Sequence, residues 1–427
     1  MRRMLAAALT MMVFFFVGAT CLANGQNSPL WKIANVDRQV LFDNVAYYRF
    51  DVVVGPGQYD KIRIHRIVQE TQPFQPKQLA QAVMFFGGEP TYFATLYVEP
   101  LIDPDIVRDR SIAIYLAKNN IDVWGMDYRW ALVPQDAKDL SFMKNWGIET
   151  DVQDAQTALT IARLLRGNGF APSGPLYLAG LSYGAKMTYA VAADDTQRPL
   201  ALRNVKGIIP LDCGVKFKEP EVKAEACTNF AADQQNLKSG VYYYDNTSLW
   251  QMGDLALSNP GGTSPFDSTL TNYQFGLVVG TSPNGAIPWH FVGGWMDSNG
   301  IPYDLRYTEP SLWFDLLKFN EPPYSPIRLD YDSDSVECGK HLPDVTFANH
   351  LSDITIPVFY VGAAGGFGTY GEYTTKLVAS RDVTVRIVQE QPDDMRSVDY
   401  GHGDLLAGRK AELLVWQPIL QWLQNHH

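Results

Sequence analysis

One pentapeptide restricts this chain more than any other feature. Gly180-Leu181-Ser182-Tyr183-Gly184 fits the pattern G-x-S-x-G. With 34 glycines among 427 residues, chance yields such a pattern about one time in six, so its context decides. The run Leu176 to Ala179 leads straight into it and reads as a buried strand. Ala185 to Ala193, small and apolar, reads as a helix. A strand turning directly into a helix forces the middle residue into strained geometry, and small residues two before and two after it leave room for the tight approach. The Ser182 hydroxyl is then held out of the sheet at a helix N-terminus, where the dipole favours developing negative charge. This predicts a nucleophile at Ser182 rather than an ordinary turn serine.

The flanks of the pentapeptide extend the same rhythm. Tyr47 to Val54 and Ile62 to Val68 read as strands of a hairpin, joined through Gly55-Pro56-Gly57. Further strands are expected at Ala82 to Phe86, Ile121 to Met126 and Val205 to Leu211, the last being the sixth. Helices are expected at Ser111 to Lys118 and Val152 to Arg166. Strands alternating with helices after an opening hairpin predict an α/β chain: a mostly parallel central sheet with helices on both faces. From Gly214 to about His350 the alternation breaks. Turn signals crowd together there, as in Asn259-Pro260-Gly261-Gly262 and Ser282-Pro283-Asn284-Gly285. The alternation resumes at Ile356 to Val361 and Val383 to Val388. A last helix follows, with Leu413, Trp416, Leu420 and Leu423 on one face and a kink expected at Pro418. The expected division is 1–23 leader, 24–213 first part of the core, 214–350 cap inserted after the sixth strand, and 351–427 second part of the core.

On the elbow, the strand order and a C-terminal histidine, the flanks at about 40–213 and 351–427 resemble an α/β-hydrolase. The resemblance implies a Ser–acid–His triad in that chain order, an oxyanion hole and a cap, and within the superfamily the chain looks most like secreted esterases and lipases. The implied base lies after the last strand. His402, in Asp399-Tyr400-Gly401-His402-Gly403-Asp404, sits there between glycines that suit a loop. His65 lies upstream of the serine, His290, His341 and His350 lie in or beside the insertion, and His426 and His427 are terminal. The acid departs from the commonest pattern: Val361-Gly362-Ala363-Ala364-Gly365-Gly366-Phe367-Gly368 carries no carboxylate. Asp212, directly after Val205 to Leu211, is the favoured acid; Glu372 is the alternative, with Asp353 and Asp399 behind it. Its task would be to accept the imidazole N–H and stabilise imidazolium. The resemblance places the oxyanion hole at the N–H of Tyr183 and at Gly87-Gly88-Glu89, with Gly88 and Glu89 as donors. A carboxylate at Glu89 would oppose an oxyanion, so its side chain is expected to point away.

Arg2 and Arg3 followed by an apolar stretch from Leu5 to Ala23 predict a secretory signal peptide cleaved after Ala23. Retention as an anchor and lipidation at Cys21 are the alternatives. Loss of the leader would take the net charge from −11 to −13, which disfavours nucleic acid as a partner. Export permits a disulfide among Cys213, Cys227 and Cys338. Cys213 and Cys227 are nearer in sequence, but spacing does not decide connectivity. No Cys or His spacing suggests a metal, and no cofactor is expected. Aromatic residues of the insertion, including Trp250, Trp289, Phe291, Trp295, Trp313 and Phe314, would give the cap an apolar lining or simply pack its core. The expected activity is hydrolysis of a small carboxylic ester, apolar or aromatic, through an acyl-enzyme. The alternatives are a peptidase or amidase of the same fold, and a binding protein that retains the fold without turnover. Membrane contact is expected only if the leader is retained or lipidated.

Overall fold

Short apolar runs without polar alternation form the centre of the molecule, because both faces of their sheet are covered. In the computed structural model, which describes residues 31–426 except 104, 108, 168–171 and 319–321, Ala82–Phe86 (β4) and Leu176–Leu181 (β6) are buried at every position. The expected leader, its cleavage site and Cys21 lie outside the described residues. The other strands of the main sheet are β1 (Lys32–Phe42), β2 (Val45–Val53), β3 (Lys61–Gln72), β5 (Asp122–Asp127), β7 (Val205–Leu211), β8 (Val358–Ala363) and β9 (Val383–Val388). They lie in the order β1-β2-β3-β5-β4-β6-β7-β8-β9, and the two-residue strand Gln75–Pro76 pairs with β3. Strands β1 to β3 are antiparallel to their neighbours, whereas β5-β4-β6-β7-β8-β9 run parallel. The parallel carboxyl ends therefore share one edge, where connecting loops gather.

Alternation along the strands divides the core into two layers. In β6, Leu176 and Leu178 enter one apolar cluster, while Tyr177, Ala179 and Leu181 enter the other. Helices α1 (Ile112–Lys118), α2 (Ile148–Arg166) and α3 (Tyr183–Thr196) connect the strands, with Ser111 capping α1 through its hydroxyl. The α2 helix starts four residues before the expected Val152. The Ile148 N–H is accepted by Asp332, a cap residue 184 positions away that no local signal announces.

The β1 strand was not among the expected elements. Its apolar residues Ile33, Val36 and Val40 do not alternate, and most of the strand is exposed. It is held by backbone pairing to β2 at a sheet edge bearing charged residues, including the Arg49–Asp37 and Arg38–Glu70 ion pairs. Counting it, the segment expected as a cap follows the seventh of these nine strands in chain order. Between β7 and β8 the chain forms α4 (Pro220–Ser239), α5 (Thr247–Ser258), α6 (Asn272–Thr281), α7 (Pro310–Lys318) and α8 (Ile327–Cys338), with four short strands. Ala256, Leu277, Val292, Leu305, Trp313, Phe314 and Leu317 form an apolar cluster of the cap's own. The disulfide joins Cys227 of α4 to Cys338 of α8, leaving Cys213 a buried thiol.

The last helix differs from its expected register. Glu412–Trp416 is a π-turn leading into α9 (Gln417–Asn425), so an extra residue rotates Leu413 to the surface, where it is 60% exposed. Trp416, Leu420 and Leu423 remain buried. Pro418 has no N–H to offer the Leu414 carbonyl, which instead accepts from Arg386 Nε at 2.8 Å.

Candidate active site

The elbow is built by backbone meeting backbone. Ser182 takes φ +61° and ψ −122°, a conformation strained for a residue with a side chain. Both flanking glycines are sterically required. A Cβ on Gly180 would lie 2.5 Å from the Gly184 carbonyl, and one on Gly184 would lie 2.2 Å from the Phe86 oxygen. The Ser182 N–H donates to the Leu211 oxygen at 3.2 Å, tying the elbow to the end of β7. Helix α3 begins at Tyr183, and the Ser182 carbonyl accepts from Ala185 and Lys186. The first amides of such a helix have no partner within it.

Asp212 follows Leu211 directly, with φ +47° and no exposure. Its Oδ1 accepts the N–H groups of Ala363 (2.8 Å) and Gly368 (2.7 Å). Its Oδ2 accepts Phe367 N–H at 3.0 Å and lies 2.8 Å from His402 Nδ1. The glycine-rich loop after β8 is thus a cradle for the carboxylate of the neighbouring strand. A Cβ on Gly366 would come within 2.0 Å of Asp212 Oδ2, so the cradle requires the glycine at that position. With Nδ1 donating to Asp212, the other ring nitrogen of His402 is left bare. Nε2 is buried and has no hydrogen-bond partner among the described residues.

The other expected acids are engaged elsewhere. Glu372 pairs with Lys376 at 3.0 Å, and Asp353 holds His350 Nδ1 at 2.9 Å. Asp399 folds its own loop by accepting the amides of Glu390, Gln391 and Tyr400. The structure brings none of the three to His402. The remaining upstream histidine, His65, lies between Tyr47 and Asp127, and His290 Nε2 lies 2.9 Å from the Asp399 carbonyl.

Cap and core share the construction of the His402 loop. His402 N–H donates to the His290 oxygen, and Gly403 N–H to the Phe291 oxygen. Asp404, to which the sequence assigned no role, fastens this junction. It accepts Gly293 and Gly401 N–H through Oδ2, each at 2.8 Å, and the Thr308 hydroxyl through Oδ1 at 2.6 Å. Burial pushes its carboxyl up to about 6. The only local signal was a carboxylate two residues after a glycine-flanked histidine. Rings of Trp289, Phe367 and Phe291 stand edge-on around the imidazole, with centroids at 5.2, 5.6 and 6.1 Å. Some of the cap's aromatic residues therefore face the site while others pack its core.

Gly88 meets the elbow as expected: a Cβ there would lie 3.3 Å from Ser182 Cβ and 3.4 Å from the Leu181 oxygen. The Glu89 carboxyl lies among Asp330, Ser325 and Lys186. Burial, reinforced by the Asp330 charge, holds its pKa well above the carboxylate range. Both effects oppose the negative charge that its sequence position set against an oxyanion. Among the described residues no group of His, Cys, Asp and Glu has a metal-holding arrangement. A cavity of about 810 Å³ lies between β2, β3 and α5, lined by Tyr47, Arg49, His65, Asp127 and Trp250, and Ser182, Asp212 and His402 are not among its lining residues.

No family model matches the sequence, and no curated protein matches it. Solved structures do. A candidate lipase from Sulfolobus solfataricus is 22% identical with a TM-score of 0.61, over 93% of this chain and 99% of that one. A soluble variant of monoglyceride lipase from Saccharomyces cerevisiae is 13% identical with a TM-score of 0.46, over 92% and 96%. The first likeness, together with the strand order, establishes the fold; the second is too distant to add to it.

Proposed function

Starting from the α/β-hydrolase fold of this chain, we propose that the protein is an exported serine hydrolase of small carboxylic esters. The observation that carries the proposal is the buried His402, held by Asp212 on one nitrogen and bare on the other, with the strained Ser182 tied through its N–H to the oxygen of Leu211, the residue before Asp212. In the proposed reaction His402 Nε2 takes the Ser182 proton as Oγ attacks the ester carbonyl. Tyr183 and Gly88 N–H groups hold the oxyanion. His402 then returns the proton to the departing alcohol, and water releases the acyl group by the same steps in reverse. Asp212 fixes the imidazole and stabilises its protonated form without itself taking the proton. The aromatic ring collar around His402 favours an apolar or aromatic acyl or alcohol group.

Export is proposed from the Arg2-Arg3 leader, and the Cys227–Cys338 disulfide supports an oxidising compartment. Among the described residues no helix is long and apolar enough to cross a membrane.

Hydrolysis of a p-nitrophenyl ester series from C2 to C16 tests the proposal, with Ser182→Ala, Asp212→Asn and Glu372→Gln alongside. Loss in the first two variants with Glu372→Gln unaffected is expected. Absence of both ester turnover and fluorophosphonate labelling would favour a binding protein. Labelling without ester turnover would point to amides.

A further inference from the structure

The ladder between the two backbone segments that would hold the oxyanion ends where the site begins. Register between β4 and β6 runs as far as Phe86 opposite Gly180. Beyond it the two strands are no longer paired with each other, so the ladder does not supply hydrogen bonds to the Phe86 oxygen and the Leu181 N–H. The Tyr97 hydroxyl fills that gap. It donates to the Phe86 oxygen at 2.7 Å and accepts the Leu181 N–H at 3.0 Å. Two more phenols act on the same segments. Tyr128 donates to the Gly87 oxygen at 3.2 Å. Tyr183 donates to Asp151 Oδ2 at 2.8 Å, where Trp130 Nε1 also donates at 3.1 Å. Tyr128 stacks on Trp130 and meets Tyr183 edge-on. All four aromatic residues are buried.

We infer that Tyr97, seconded by Tyr128, is a positioning residue that fixes the spacing between the Gly88 and Tyr183 amides, so that both donors are set for the oxyanion before substrate arrives. The physical need is clear: an oxyanion hole works through donors that do not have to reorganise during reaction. A hydroxyl that both donates and accepts is suited to the gap between a freed carbonyl and a freed N–H, and a phenylalanine there could do neither. The inference rests on the proposed serine chemistry, and its test separates the two.

Tyr97→Phe and Tyr128→Phe are compared with Tyr189→Phe, whose buried hydroxyl has no hydrogen-bond partner among the described residues. For Tyr97→Phe, kcat on a p-nitrophenyl ester is expected to fall about 10- to 100-fold with KM changed less than about threefold. Affinity for an aryl boronic acid, which copies the tetrahedral intermediate, should fall in parallel with kcat/KM. Tyr128→Phe should show a smaller loss of the same kind, and Tyr189→Phe none. Amide hydrogen exchange over 86–89 and 181–184 should quicken in Tyr97→Phe while the rest of α3 stays protected. Unchanged kcat in Tyr97→Phe, a loss confined to KM, or unchanged exchange in those two segments overturns the brace. If the wild-type protein neither hydrolyses esters nor labels, the serine reading fails, and exchange alone then decides the brace.

Discussion

At the scale of single residues, the site concentrates unfavourable local choices that its surroundings enforce. Ser182 and Asp212 both have positive φ, although neither is a glycine. Such conformations cost roughly 1–3 kcal/mol each and persist only when tertiary contacts dictate them. Ser182→Gly should therefore be inactive and yet about 1 kcal/mol more stable, read as a higher midpoint in thermal denaturation; a lower midpoint would show that no strain is stored there. Glu89 is the opposite case. It carries a charge on paper that the fold opposes, since burial and the neighbouring Asp330 carboxyl raise its pKa. Glu89→Gln, a neutral replacement where the fold disfavours the charge, should leave kcat on the preferred ester within about threefold near pH 7. A much larger loss would mean that the ionised form matters.

At the scale of elements, what matters is which elements share a junction. The segment 289–293 and the loop 400–404 are joined through two backbone hydrogen bonds and Asp404. Asp404→Ala removes the acceptor for two amides and a hydroxyl, so His402 loses its orientation while Ser182 keeps its own. The expected result is a loss of at least about tenfold in kcat with the elbow intact, seen as slower but complete fluorophosphonate labelling. Wild-type turnover in that variant would show that the junction is dispensable. The Cys227–Cys338 bond closes a separation of 111 residues between α4 and α8. A loop of that length corresponds to about 5 kcal/mol of unfolded-chain entropy. Serine at both positions should lower the melting temperature and expose α4 and α8 to limited proteolysis; a cap equally resistant with and without the bond would contradict this.

Across the whole molecule, burial of carboxyls sets how stability responds to pH. Burial raises Asp151 to about 7, Glu99 to about 8, and Asp332 and Asp404 to about 6. An unfolded chain releases these protons near pH ~4, so between there and pH ~7–8 the folded state binds more protons than the unfolded one. Stability from these groups is thus fullest at the acid end of that window and falls as pH rises through it. Glu70 and Asp127 work the other way. Glu70 is held low by Arg38 and Tyr48 against its burial, and Asp127 chiefly by His65 against its own. Their contribution is lost as pH falls below the ordinary carboxylate range. Thermal melts from pH 4 to 9 should show a maximum in mild acid and a decline toward pH 9, with Asp151→Asn flattening the decline. A midpoint that climbs steadily toward pH 9 would refute this balance.

What the sequence determined by itself was everything that depends on short range. Ala82–Phe86, Val205–Leu211 and Val383–Val388 were legible to the residue: the first is an unbroken apolar run buried at every position, and the other two are rich in the β-branched residues that favour strands. The elbow was legible because two glycines and a serine must stand at fixed spacing for backbone to meet backbone. Only the tertiary structure placed Asp212, and not Glu372, against His402. An acid is selected by what surrounds its carboxylate, and the cradle for Asp212 comes from a loop about 150 residues further along the chain. The same holds for the partner of Cys227, the start of α2 at Ile148 and the place of Asp404 between cap and core. Each is fixed by a contact that the folded chain brings together and that local composition cannot encode.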